Sequence, residues 1–282
     1  MIPMLKRIVV GWDGTPAAES ALRWAAARAG EVPVVVVHVL PGSATSSEYL
    51  RAGGELSAER VRLMDAADEL RSQHPGLHLT TSTVHGTAVN ELGAYAGPGV
   101  LIVVGDARHG RGSRWTLGVR LAGRDGRGGA VAVIPADLGD ATRSGVVVGT
   151  DGSAASMAAI EFAAQEAERL GEELEIVHAW LVPAAWESAY DEATSDQRLL
   201  EEMHRDLLDE SVEYARGLGA RPTGRLEQGS AADVLAAIGT RASVLVVGGH
   251  GAGAVARFLL GSVSHSVLLT VTAPTIVVRT AS

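Results

Sequence analysis

The chain has no cysteine and a single lysine, Lys6, among its 282 residues. The first absence excludes disulfides, thiolate catalysis and zinc sites with cysteine ligands. The second leaves almost no candidate for a Schiff base or a lysine contact to phosphate. A Walker A loop needs Gly-Lys-Ser/Thr, so that class of nucleotide binder is excluded. Aromatic residues make up 4% of the chain against 46% hydrophobic residues. The apolar content is therefore mostly Ala, Val and Leu, as in helices layered on buried strands. No apolar run reaches the roughly 18 residues that would span a bilayer. Met1–Arg7 leads straight into a strand-like run without the apolar segment of a secretory signal, and a soluble cytoplasmic protein is expected. The formal net charge of −9 argues against a general attraction to nucleic acid or anionic membrane. The nine histidines show neither HExxH nor His-x3-His spacing, so no metal site is expected. A GxSxG elbow is missing. So is a GxGxxG fingerprint after the first strand, which argues against NAD.

What the chain does contain, it contains twice. Val9-Val10-Gly11-Trp12-Asp13-Gly14-Thr15 returns as Val147-Val148-Gly149-Thr150-Asp151-Gly152-Ser153, 138 residues later. Val37-His38 returns as Val177-His178, and Val103-Val104-Gly105 as Val246-Val247-Gly248. A period of this length is a domain, whereas solenoid repeats run roughly 20 to 50 residues. Residues 1–137 and 144–282 are expected to form two domains, joined by the short polar stretch Ala136–Gly145.

Each copy alternates short apolar runs with longer amphipathic segments, the pattern of βαβ units and a parallel sheet. Strands are expected near Ile8–Gly11, Pro33–Val39, Leu77–Val84, Val100–Val104 and Ala130–Ile134. Their counterparts fall near Val146–Gly149, Leu174–Trp180, Arg225–Glu227, Val244–Val247 and Thr275–Val278. The continuous β-branched runs suit strands covered on both faces. Helices are expected at Ala17–Ala29, Ser47–Ser72, Ala88–Ala96 and Leu117–Gly123, and at Leu199–Gly217 in the second copy. The loop Pro183–Thr194 carries Trp186 and Tyr190, which could form a lid or partner surface or simply pack.

In an open parallel sheet, ligands bind at the carboxyl ends of the strands. Three features meet there in the second copy. Asp151 follows the first strand, where it could accept from hydroxyls or hold a cation, or could merely make the turn and cap the next helix. Val247-Gly248-Gly249-His250-Gly251 follows the fourth strand, with glycines that let backbone N–H groups approach an anion. Gly261-Ser262 opens a helix at Val263–Val271, with Ser262 as its expected N-cap, and a helix N-terminus favours anions. Together these describe a phosphate cradle that needs no lysine.

Gly248-x2-Gly251-x9-Gly261-Ser262 resembles the Gly-x2-Gly-x9-Gly-Ser/Thr motif of the ATP-binding universal stress proteins. The leading Asp-Gly-Ser, the Val177-His178-Ala179-Trp180 strand end and the closing Val-Val strand are similar to that family too. The likeness spans both copies, as in the tandem-domain type common in actinobacteria. It implies an α/β fold of two tandem, doubly wound, five-stranded parallel-sheet domains, Rossmann-like and of the adenine-nucleotide alpha-hydrolase kind. It also implies that the domains pack as a pseudo-twofold pair, with the last strands paired across the interface. The implied ligand is ATP, with Mg able to accompany it. Asp151 would hold ribose, and the strand end from Val177 to Ala179 would hold adenine. Gly248, Gly251, Gly261 and Ser262 would line the phosphates, flanked by Val247, His250 and Val263.

The first copy departs from this pattern. Gly105 and Gly118 keep the spacing of Gly248 and Gly261, but Arg108 replaces the second glycine and Val119 the serine. A weaker second site would use Asp13, Gly105, Arg108 and Gly118, with Arg111 and Arg114 as further side-chain contacts. The resemblance implies a regulatory module of the stress response that binds nucleotide mainly in its second domain. A slow ATPase and a nucleotide-free scaffold are the alternatives, and no catalytic residue is assigned. The expected partners are an adenine nucleotide and the sister domain, and a homodimer is also compatible.

Overall fold

The β-branched runs become parallel strands whose residues are buried whichever face they point to. Ile8, Val9 and Val10 are all inaccessible, as are Val34, Val36 and Val37. The computed structural model describes residues 3–42, 53–106, 116–124, 128–138, 142–182, 193–250 and 260–280. Arg108, Arg111, Arg114, Trp186, Tyr190 and Gly251 lie outside the described residues. The chain divides into two units, built on Pro3–Asp140 and Ala141–Arg279.

In the first unit the strands are β1 (Arg7–Trp12), β2 (Val34–Leu40), β3 (Leu79–His85), β4 (Val100–Asp106) and β5 (Gly129–Pro135). They lie in the order β3-β2-β1-β4-β5. The register sets Ile8 opposite Val34 on one side and Leu101 on the other. Its helices are α1 (Pro16–Ala29), α2 (Gly53–Gln73), α3 (Ala88–Ala94) and α4 (Leu117–Ala122).

The second unit repeats the plan with β6 (Val146–Gly149), β7 (Leu174–Trp180), β8 (Pro222–Gln228), β9 (Val244–Gly248) and β10 (Thr275–Arg279). The order there is β8-β7-β6-β9-β10. Its helices are α5 (Ala154–Leu170), α6 (Ala193–Gly217), α7 (Ala231–Gly239) and α8 (Ser262–Leu269). In each unit the first strand lies between the second and the fourth, so the chain leaves it to one side and returns on the other. That reversal opens a crevice at the carboxyl ends of β1 and β4, and likewise of β6 and β9.

Short signals at the first strand end start each central helix. Asp13 Oδ1 accepts from the N–H and the hydroxyl of Thr15, and Asp151 Oδ1 from the N–H of Ser153. Thr15 and Ser153 then cap α1 and α5 through their side chains. The intervening Gly14 and Gly152 adopt φ of 73° and 74°, which disfavours any side chain. The turn-making role of both aspartates is thus realised in the structure.

Several boundaries differ from expectation, and α6 starts at Ala193, six residues before Leu199 and within the expected loop Pro183–Thr194. β8 runs from Pro222, three residues before Arg225, because Leu174, Glu175 and Ile176 pair with Pro222, Thr223 and Gly224. It lies at the end of the strand order, and proline is tolerated in the first position of such an edge strand. α8 begins at Ser262 with Gly261 as its N-cap, so Ser262 is the first helical residue and not the cap.

Candidate functional site

The crevice of the second unit holds a cavity of about 270 Å³. Asp151, Val177, Ala179, Val247, Gly248, His250, Gly261, Ser262 and Val263 all line it. Nine of the ten residues singled out from the sequence are therefore brought together, and the tenth, Gly251, lies outside the described residues. Six liners were not foreseen as such: Gly149, Thr150, Ser156, Ala231, Leu235 and Ser264. Ala231 and Leu235 come from α7, whose face toward the cavity is set by its packing against α8, β6, β7 and β9. No local motif announces that.

One end of the cavity is apolar, with Val177 and Leu235 buried beside it. The other end is built of donors. α8 has no side-chain cap, and no described hydrogen bond uses the N–H groups of Ser262, Val263 or Ser264. These first-turn amides have no partner inside a helix, and the helix dipole concentrates positive potential at them. Nε2 of His250 is buried and has no hydrogen-bond partner. Among the described lining residues there is neither lysine nor arginine, and Asp151 is the single carboxylate.

Glycine is required at Gly248 for packing. A Cβ there would come within 2.8 Å of the backbone carbonyl of Ala155, in the first turn of α5. Gly261 has φ −58°, open to any residue, so backbone conformation does not require glycine at that position.

The first unit has a smaller cavity in the same place, about 150 Å³. Asp13 and Gly105 line it, whereas Gly118 sits inside α4 with its Cα hydrogens against Val133. Arg108 lies outside the described residues. Val119 brings no hydroxyl where the second copy has Ser262. The helix α4 nevertheless starts at Leu117, as expected, with a cap of its own, because Thr116 Oγ1 accepts from the N–H of Val119. That amide corresponds to the one that Ser262 leaves open.

The strand-two histidines buttress both crevices differently. His38 Nδ1 donates to the carbonyl of Trp12, and its Nε2 faces Glu59 on α2 at 3.1 Å. His178 Nδ1 donates to the carbonyl of Thr150, next to Asp151, and its Nε2 lies 2.8 Å from Nδ1 of His204 on α6. The His204 ring stacks on Trp180. With its Nδ1–H committed to the carbonyl, His178 accepts at Nε2 from the Nδ1–H of His204. Burial, and then the neighbouring His178, hold the His204 pKa below its ordinary 6.5. A histidine with a depressed folded pKa contributes stability that is complete above the unfolded value and is lost as pH falls below it. We expect amide protection factors in α6, taken against intrinsic exchange at each pH, to fall below pH 6.5, and His204→Glu, which copies Glu59, to suppress that fall. Equal acid sensitivity in the two proteins would show that the imidazole pair is not responsible.

The universal stress protein family model matches residues 4–119 and 143–279. Universal stress protein Rv2005c of Mycobacterium tuberculosis is 31% identical over 297 residues, covering 96% of each chain. Rv1996 of the same organism is 30% identical over 317 residues, covering 96% of this chain and 94% of its own. The crystal structure of a universal stress protein from Archaeoglobus fulgidus matches with a TM-score of 0.66, covering 97% of this chain and 98% of that one. Its identity is 19%, a likeness of fold alone. No described helix is long and apolar enough to cross a membrane. With both halves matched by the family model, the chain belongs to the universal stress protein family and carries two of its Rossmann-like α/β domains in tandem.

Proposed function

We propose that the second unit binds an adenine nucleotide, with ATP the ligand that fits best, and that the protein acts as a nucleotide-responsive module in the stress response. The observation that carries this reading is the uncapped start of α8. Its open amides share one cavity with Asp151 and with the unpartnered Nε2 of His250. A phosphate chain would satisfy all of these donors, and backbone amides at a helix N-terminus do this without lysine. Val177 and Ala179 suit the adenine, Asp151 the ribose hydroxyls, and Gly248, Gly251, Gly261 and Ser262 the phosphates. Each copy serves as a doubly wound five-stranded domain whose switch-point crevice is used in the second and altered in the first.

Mg²⁺ would supply charge neutralisation when bound with the nucleotide. Asp151 alone offers it one carboxylate, and magnesium commonly sits on substrate phosphates with few protein ligands. Among described residues only His250 could serve as a base at the phosphate end, which ranks binding above hydrolysis. Titration calorimetry should give one ATP per chain and appreciably weaker binding of adenosine at the same cavity. Two equivalent ATP sites, or adenosine binding there as tightly as ATP, would overturn this assignment.

A further inference from the structure

The second unit carries another cavity, of about 720 Å³, at the end of its sheet opposite the crevice. Its walls come from α5, the close of α6 and the first residues of β7 and β8. Glu161, Gln165 and Glu168 line it at the i, i+4, i+7 spacing of one helix face, and Glu172 and Glu173 follow just past the end of α5. Glu161 and Glu168 are therefore about 10 Å apart along the helix axis. Ala164, Ala167 and Leu218 supply apolar surface beside them.

This row is more than a solvated helix face. Glu161 is 8% exposed, and the Tyr214 hydroxyl donates to its Oε1. That bond, and then burial, push the tyrosine pKa up to about 12. The carbonyl ends of α5 and α6 add negative potential at the same place. The basic residue in each last turn is held by its own helix, Arg169 by Glu166 and Arg216 by Glu213. Burying a carboxylate costs stability, and the fold does not demand one here. At the 138-residue offset, Arg23, Ala27 and Gly30 stand where the second copy has Glu161, Gln165 and Glu168. Among the described residues, no three of His, Asp and Glu converge as a metal ion would need. The charge is laid out in a row, which suits a ligand whose positive charge is laid out likewise.

We propose that this cavity binds a linear aliphatic polyamine, whose ammonium groups donate to Glu161, Glu168 and Glu172 while its methylenes lie on Ala164, Ala167 and Leu218. Four lining carboxylates against the single guanidinium of Arg221 leave three net negative charges, which a triamine would balance. The site lies at the amino ends of the strands, so it stands apart from the nucleotide reading, and the two can fail separately.

Titration calorimetry of the nucleotide-free, full-length chain with spermidine at low salt should give one saturable site. Mg²⁺ at matched charge should not displace it. Glu161→Gln keeps the shape and an acceptor for Tyr214 while removing a buried charge, so affinity should fall about tenfold or more. Glu168→Gln, at the exposed rim, should cost about threefold. Gln165→Lys sets an ammonium of the chain's own in the row and should abolish binding. Glu210→Gln removes an exposed charge of α6 that does not line the cavity, and should change nothing. The proposal is wrong if spermidine shows no saturable binding or if Gln165→Lys still takes it up. Displacement by Mg²⁺, or equal losses in Glu210→Gln and Glu168→Gln, would reduce the attraction to net charge and overturn it too. Should Glu161→Gln fail to fold, Glu168→Gln and Gln165→Lys still decide the matter.

Discussion

Gly105→Ala is expected to destabilise the first unit by about 3 kcal/mol, at the upper end of what overpacking costs. A Cβ on Gly105 would lie 2.3 Å from the carbonyl carbon and oxygen of Ala17 and 2.7 Å from the N–H nitrogen of Ala18. Those are backbone atoms in the first turn of α1, so no rotamer change can relieve the clash. Either α1 lifts from β4 or the strand bends, and both expose residues that are now inaccessible. Gly76→Ala is the matched control. Gly76 has φ +99° with open space around it, so alanine there meets only backbone strain, about 1–2 kcal/mol. Denaturant unfolding of the two variants should therefore give clearly different losses. Equal losses would mean that β4 and α1 have more room than their spacing allows.

Ser262→Pro should weaken ATP binding roughly ten- to hundredfold while leaving thermal stability nearly unchanged. Proline is favoured at the first position of a helix, since its missing N–H has no partner inside the helix. The preceding residue must be extended, and Gly261 has φ −58° and ψ 151°, which is already compatible. The substitution therefore removes one amide donor, and the serine hydroxyl with it, without disturbing α8. A hydrogen bond to a charged group contributes about 1.5–3 kcal/mol, the basis of the expected range. Calorimetry with ATP and adenosine on both proteins checks it. An equal loss for the two ligands would show that Ser262 acts through something other than phosphate.

The strands were legible in the sequence because a buried parallel strand must be a continuous apolar run, and runs such as Val34–Val37 have no other use. Where a strand lies at an edge the signal fades. Pro222-Thr223-Gly224 has the composition of a turn, and only pairing with Leu174–Ile176 makes it β-structure. Most of the candidate site was legible for a related reason. Asp151, Gly248 and Gly261 sit at strand or helix ends, where chemistry is confined to a few positions. The start of α4 at Leu117 was legible too, but its cap was not, because aligning Gly118 with Gly261 draws attention to Val119. Thr116, just before the helix, captures the first turn. His204 was invisible as well, since its partner is 26 residues away and neither residue belongs to a spaced motif.

The close approach of Gly105 to α1, and of Gly248 to α5, bears on how duplicated domains should be counted as receptors. Once a duplicate is released from its ligand, substitutions that remove donors cost it no stability and accumulate freely. Replacing the glycine that lets the central helix lie against the fourth strand threatens the fold instead, with or without a ligand. That glycine should be among the last marks of an ancestral signature to fade. A tally of sites that begins from it will count silent copies as working ones.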